Sequence, residues 1–135
     1  MKTLARIGAL VTLTAAAVFG VTGPASAGPS GCSSVTQIGS TGVAYIGGSP
    51  FASVKQFKGC GKNYAYAYVW TSYRDSHSSW EICAAIVVNN RFNDGNCSSG
   101  RPVEVWSWGA NTLTACTHAS GWWEGVTAAR TDERC

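Results

Sequence analysis

Six cysteines in a chain of 135 residues constrain its fold more than any other feature. All six, Cys32, Cys60, Cys83, Cys97, Cys116 and Cys135, lie beyond residue 27. The stretch before them carries Lys2 and Arg6, then the apolar run IGALVTLTAAAVFGV, then Ala25-Ser26-Ala27. That order reads as a secretory signal peptide over residues 1–27: a positive start, an apolar middle short for a bilayer span, and a small-residue cleavage site. An even cysteine count behind such a leader predicts three disulfides, made outside the reducing cytosol. The protein is expected to be secreted and extracellular, with no membrane segment once the leader is cleaved. The six cysteines can pair in many ways; the most local solution joins them in sequence, Cys32 to Cys60, Cys83 to Cys97 and Cys116 to Cys135. Zinc is the competing use of cysteine, but there is no CxxC pair, and Cys116 and His118 are the only close Cys/His neighbours. Neither metal nor cofactor is expected.

Residues 28–135 then form one domain with room for a modest core. Residues 28–34 read as a loose arm ahead of a single β domain at 35–135. The leader takes two of the ten Lys and Arg residues and none of the seven Asp and Glu, so the remainder is almost neutral. No basic run survives, which argues against nucleic acid as a partner. A monomer is expected.

Helix signals are nearly absent. Leu113 is the sole leucine after the leader, and no window carries a sustained 3.6-residue apolar stripe. Short β-prone runs alternate instead with turn clusters: SVTQI, GVAYI, FASVKQF, NYAYAYVWTSY, WEICAAIVV, RPVEVWSW, NTLTACT and WWEGVTAA, broken at GGSP, KGCGKN, RDSHSS, NDG, CSSGRP, WGAN and ASG. This spacing predicts an all-β fold, a small antiparallel sandwich or barrel stapled by disulfides. Asp94-Gly95 is a hairpin-turn signal between Cys83 and Cys97, and a bridge across that hairpin follows naturally.

The run YAYAYVW places Tyr64, Tyr66, Tyr68 and Trp70 on one face of a strand and Ala65, Ala67 and Val69 on the other. Large rings fill volume, and four of them facing water would form a wide apolar patch. The aromatic face is therefore expected to point into the core, with a ligand platform as the alternative.

Catalytic signals are sparse. A retaining glycosidase needs two carboxyls about 5 Å apart, and Glu104 and Glu124 lie on strand-like segments. A secreted ribonuclease would use His118, Glu124 and Arg130. Neither spacing singles these residues out, and no GxSxG elbow or HExxH is present. No catalytic residues are assigned. The stretch WTSYRDSHSSW is richer in binding chemistry: a polar turn with Arg74, Asp75 and His77 flanked by Trp70, Tyr73 and Trp80. Trp, Tyr and Arg are the types enriched in binding hot spots. A second candidate surface comprises Trp106 and Trp108, which share a strand face with Glu104, and the neighbours Trp122 and Trp123, which cannot both face one core.

YVWTSYRDS, followed by Cys83, the NDG hairpin, Cys97 and a terminal Cys135, resembles the small secreted α-amylase inhibitors of actinobacteria. The resemblance covers Cys60 to Cys135. It implies a disulfide-linked β-sandwich presenting a Trp-Arg-Tyr loop to an enzyme's cleft. Here Trp70 stands apart from Tyr73-Arg74 and the order differs, and Cys32 and Cys116 are additional. The expected function is a binding protein that inhibits an extracellular hydrolase, a protein partner. A carbohydrate or cell-wall binding module, with polysaccharide as partner, is the alternative, and a small secreted hydrolase the third reading.

Overall fold

The computed structural model describes residues 28–123 and 128–135. The expected signal peptide and Glu124 lie outside the described residues. The elements are β1 (Thr36–Ile46), β2 (Ser49–Gly59), β3 (Lys62–Val69), α1 (Thr71–Ser76), β4 (Trp80–Val88), β5 (Arg91–Gly100), β6 (Glu104–Trp106), β7 (His118–Trp122) and β8 (Ala129–Arg130). They form two four-stranded antiparallel sheets, ordered β1-β2-β3-β6 and β5-β4-β7-β8. The result is a sandwich and not a closed barrel. Disulfides join Cys32 to Cys60, Cys83 to Cys97 and Cys116 to Cys135. Within residues 28–34, Cys32 makes a disulfide to the β2–β3 turn, and Pro29 and Cys32 are buried.

Three hairpins close through two-residue turns in which both residues have positive φ: Gly47-Gly48, Cys60-Gly61 and Asn89-Asn90. Paired positive φ is the backbone whose twist suits a tight hairpin, and Gly and Asn tolerate it best. Asn89-Asn90 therefore makes the turn expected at Asp94-Gly95. Asp94, with φ 53°, sits inside β5, where it and Gly95 together oppose Ala85 as a bulge. Two other expectations fail locally. NTLTACT forms tight turns in place of a strand, because Thr112 and Ala115 donate back to Ala110 and Thr112. Residues 71–76, read as part of a strand and a loop, wind into α1.

The core lies between the sheets, and its register is graded along the first sheet. Rows of inward-facing residues run Ala44–Ala52–Val69, then Gly42–Val54–Ala67–Val105, then Ile38–Gln56–Ala65, then Thr36–Lys58–Asn63. From the second sheet come Trp80, Ile82, Ala84, Ile86 and Ala119. The expectation that the aromatic face of β3 points into this core is overturned: Ala65, Ala67 and Val69 face inward, and the tyrosines face out. The reason is the narrow gap between the sheets. A Cβ added at Gly121 on β7 would lie 2.6 Å from Val54 Cγ2, so small residues close the middle of the sandwich. Large rings instead fill one end, where Tyr73 of α1 meets Phe51, Trp80 and Trp123 edge to face and Phe51 lies tilted against Trp123.

Candidate functional site

The outward face of the first sheet gathers the aromatic residues into one layer. Strand alternation places Ser53, Lys55 and Phe57 of β2, Tyr64, Tyr66 and Tyr68 of β3, and Glu104 and Trp106 of β6 side by side. The Tyr66 ring lies 4.6 Å from Trp106, and Phe57 lies 5.0 Å from Trp106 and 6.0 Å from Tyr66. The Tyr66 hydroxyl donates to Glu104 Oε2 at 2.6 Å. Tyr64 and Tyr66 are nonetheless buried. They form the floor of the layer, and its upper surface belongs to other rings.

Those rings lie beside two shallow depressions. One, of about 590 Å³, is lined by Tyr68, Trp70, Ser53, Thr71 and Ser72. Trp70 leans over it, 37% exposed, with its indole N–H donated to Ser53 Oγ at 2.8 Å. Arg74 reaches the same end from α1. Its guanidinium donates to the Val69 carbonyl, Tyr68 Oη and Thr71 Oγ1, and lies 5.7 Å from the Tyr68 ring centre. The second depression, of about 320 Å³, lies where β6 approaches β5, and Trp106, Trp108, Glu104, Asn96 and Ser98 are among its walls. Asn96 fixes the strand there by donating to the Trp106 carbonyl at 3.0 Å, and Trp108 is 56% exposed.

The six residues of the 70–80 stretch are not brought to one surface. Trp70 and Arg74 join the aromatic face. Tyr73 and Trp80 turn inward and are only 6% and 3% exposed. The Tyr73 hydroxyl has no hydrogen-bond partner among the described residues, and burial raises its pKa. Trp80 donates its indole N–H to the Pro102 carbonyl. His77 stacks on the Tyr73 ring at 3.7 Å, and Asp75 is exposed. The alternative set also divides. Trp106 and Trp108 flank one depression, whereas Trp122 lies tilted against Phe92 at 4.8 Å on the outer face of the second sheet. Trp123 packs against Phe51 in the core. Ser53 is not among the candidate residues, and Tyr68 enters only through the ligand-platform alternative. The parity that puts Tyr68 on the face of Trp70 was the available signal, but reading that face as core concealed it.

Of the residues considered for hydrolysis, His118 and Arg130 lie on the outer face of the second sheet, and burial, then the Arg130 charge, lowers the His118 pKa. Two groups of potential metal ligands occur among the described residues, Glu81 with Cys83 and Cys97, and Glu133 with Cys116 and Cys135. In both the sulfurs are joined as disulfides, so neither offers a thiolate. No protein-family model, curated protein or solved structure matches the chain, which leaves its own residues to carry the functional reading.

Proposed function

We propose that the protein is a secreted binding module for an extracellular polysaccharide, held on the outward face of the first sheet. The observation that carries this reading is the pairing of rings at two depressions on and beside one sheet, Tyr68 with Trp70 and Trp106 with Trp108. An aromatic ring offers a flat apolar surface to the C–H face of a sugar, and Tyr and Trp also present a polar edge. Arg74, Glu104, Ser53 and Asn96 stand beside the rings to meet hydroxyls. A pleated sheet is a rigid support, so little ordering cost falls on binding. Enzyme inhibition through a projecting Trp-Arg-Tyr loop has less support, because Tyr73 is enclosed in the core.

The test is co-sedimentation of the oxidised protein with insoluble polysaccharides, chitin, cellulose and isolated bacterial cell walls among them. Wild-type protein should pellet with at least one. The double variant Trp70→Ala/Trp108→Ala should bind it at least about tenfold more weakly, the loss typical of removing hot-spot aromatics. Phe92→Ala, at a ring 63% exposed on the other sheet, should bind like wild type. Equal binding by the double variant would overturn the assignment. So would failure to pellet with every polysaccharide alongside a stoichiometric complex with a secreted hydrolase, which would restore the inhibitor reading.

A further inference from the structure

The inner face of the first sheet changes character along its length. Its rows pass from Ala44–Ala52–Val69 to Thr36–Lys58–Asn63 without leaving the face that packs on the second sheet. Polar residues at core-facing positions oppose folding unless something offsets their desolvation. Gln56 is the sharpest case: it is fully buried, its Nε2 donates to Thr117 Oγ1 at 2.5 Å, and its Oε1 has no partner among the described residues. In the next row Asn63 is buried as well, whereas Thr36 and Lys58 are exposed at the end of the sheet; buried polar positions of this kind concentrate where function requires them.

The polar rows open into a cavity of about 710 Å³, a volume typical of small-molecule sites. Thr36, Lys58 and Asn63 form one wall; Leu113, Thr117 and Arg134 are on the other. Two of the three disulfides brace the rim. Cys32–Cys60 holds the β2–β3 turn between the lining residues Gly59 and Gly61, and Cys116–Cys135 fastens residues 113–117 to the segment carrying Arg134. Thr117 and Arg134 also exchange two backbone hydrogen bonds of 2.7 Å. The cavity is held open by covalent and backbone constraints, as a preorganised site requires.

Charge and shape narrow the ligand. Arg134 is paired with Asp132, whose carboxylate also accepts from the Ser40 backbone N–H and hydroxyl. Lys58 has no ion pair among the described residues, so its ammonium is available to an anionic group. Ile38 and Leu113 supply an aliphatic surface, with Leu113 49% exposed. Asn63 and Thr117 border the same space with buried side chains, the Asn63 amide donated to Thr112 Oγ1 and the Thr117 hydroxyl accepting from Gln56. No aromatic ring lines it, in contrast to the outward face. We propose that this end of the sandwich is a second ligand site, which takes a small acyl amino acid or a peptide C-terminus. Its carboxylate meets Lys58, and its aliphatic group lies on Ile38 and Leu113. This site is independent of the polysaccharide face.

The experiment uses two matched probes, N-acetylleucine and N-acetylleucine amide, titrated into the ¹⁵N-labelled oxidised protein. N-acetylleucine should shift the amides of Lys58, Asn63 and Thr117 saturably. The amide, which lacks the negative charge, should bind at least about tenfold more weakly, the scale of one charge-assisted contact. Lys58→Gln changes an exposed side chain and should leave the spectrum folded. It should weaken the acid about fivefold or more and leave the amide unaffected. A lysine-free route to the same answer is Leu113→Ser, which should weaken both probes together. The proposal fails if neither probe shifts these residues, if acid and amide bind equally, or if Lys58→Gln binds the acid like wild type. A C-terminal leucine dipeptide binding more tightly than N-acetylleucine would identify a peptide end as the source, and equal affinity a free acyl amino acid.

Discussion

Burial and orientation separate at Tyr66. The residue is 7% exposed, as a core residue would be, yet it lies outside the two-sheet core. Phe57 and Trp106 cover its ring, and Glu104 receives its hydroxyl. Period-two alternation states that the two faces of β3 differ, but it carries no sign. The sign comes from the opposing sheet, where Ala84, Ala119 and Gly121 leave no room for rings. The energetic consequence is close to that of core burial all the same, because water is excluded from the ring either way. Tyr66→Ala should cost about 3 kcal/mol, within the range for large buried aromatics. Tyr66→Phe should cost about 1–2 kcal/mol through the lost hydrogen bond to a carboxylate. Urea unfolding at neutral pH measures both. A loss below about 1 kcal/mol for the alanine variant, the level of an ordinary surface change, would mean that the aromatic layer does not seal its floor.

Between elements, β7 lies close against β2 and β3. The Cβ built at Gly121 meets Val54 Cγ2 at 2.6 Å and Ala67 Cβ at 3.5 Å. Gly121→Ala should therefore force the sheets apart and destabilise by about 1–3 kcal/mol, as overpacking does. If the variant unfolds like wild type, the sandwich is looser than its small-residue interior implies. The same interior explains what was legible in the sequence. The strand runs, the turn clusters and the sequential disulfides all rest on local signals: β2 and β4 fall where FASVKQF and WEICAAIVV placed them, β3 covers the first part of NYAYAYVWTSY, and β1 joins SVTQI and GVAYI into one strand. What sequence did not disclose depends on contacts distant along the chain. Asp94-Gly95 is an equally good turn dipeptide, but Asn89-Asn90 wins because Cys83 opposite Cys97 fixes the register. Residues 71–76 leave the strand path because Tyr73 is drawn among Phe51, Trp80 and Trp123, the last of them far along the chain. The candidate site was half legible: Trp70, Arg74, Trp106 and Trp108 were named, but as members of two sets that the fold cuts across.

Across the whole molecule, the two ends of the sandwich are built on opposite plans. Aromatic rings and α1 plug one end, and the other is polar, open and held by disulfides at its rim. The third disulfide, Cys83–Cys97, crosses the β4–β5 hairpin, and Cys97 lines the depression beside Trp106 and Trp108. The bridges should thus be nearly interchangeable for stability and specific for ligands. Cys83–Cys97 and Cys116–Cys135 close sequence separations of 14 and 19 residues. Loop entropy grows so slowly that this difference is worth only about 0.3 kcal/mol, and replacing either pair by serine should cost about 3 kcal/mol. Binding should divide where stability does not. Removing Cys116–Cys135 releases the wall that carries Leu113 and Thr117, and should weaken N-acetylleucine while leaving polysaccharide co-sedimentation intact. Removing Cys83–Cys97 loosens β5, from which Asn96 holds Trp106, and should reverse that pattern. Both variants should be compared at a temperature where each remains folded by circular dichroism. Equal loss of both ligands in both variants would show that the bridges stabilise the fold as a whole and preorganise neither site.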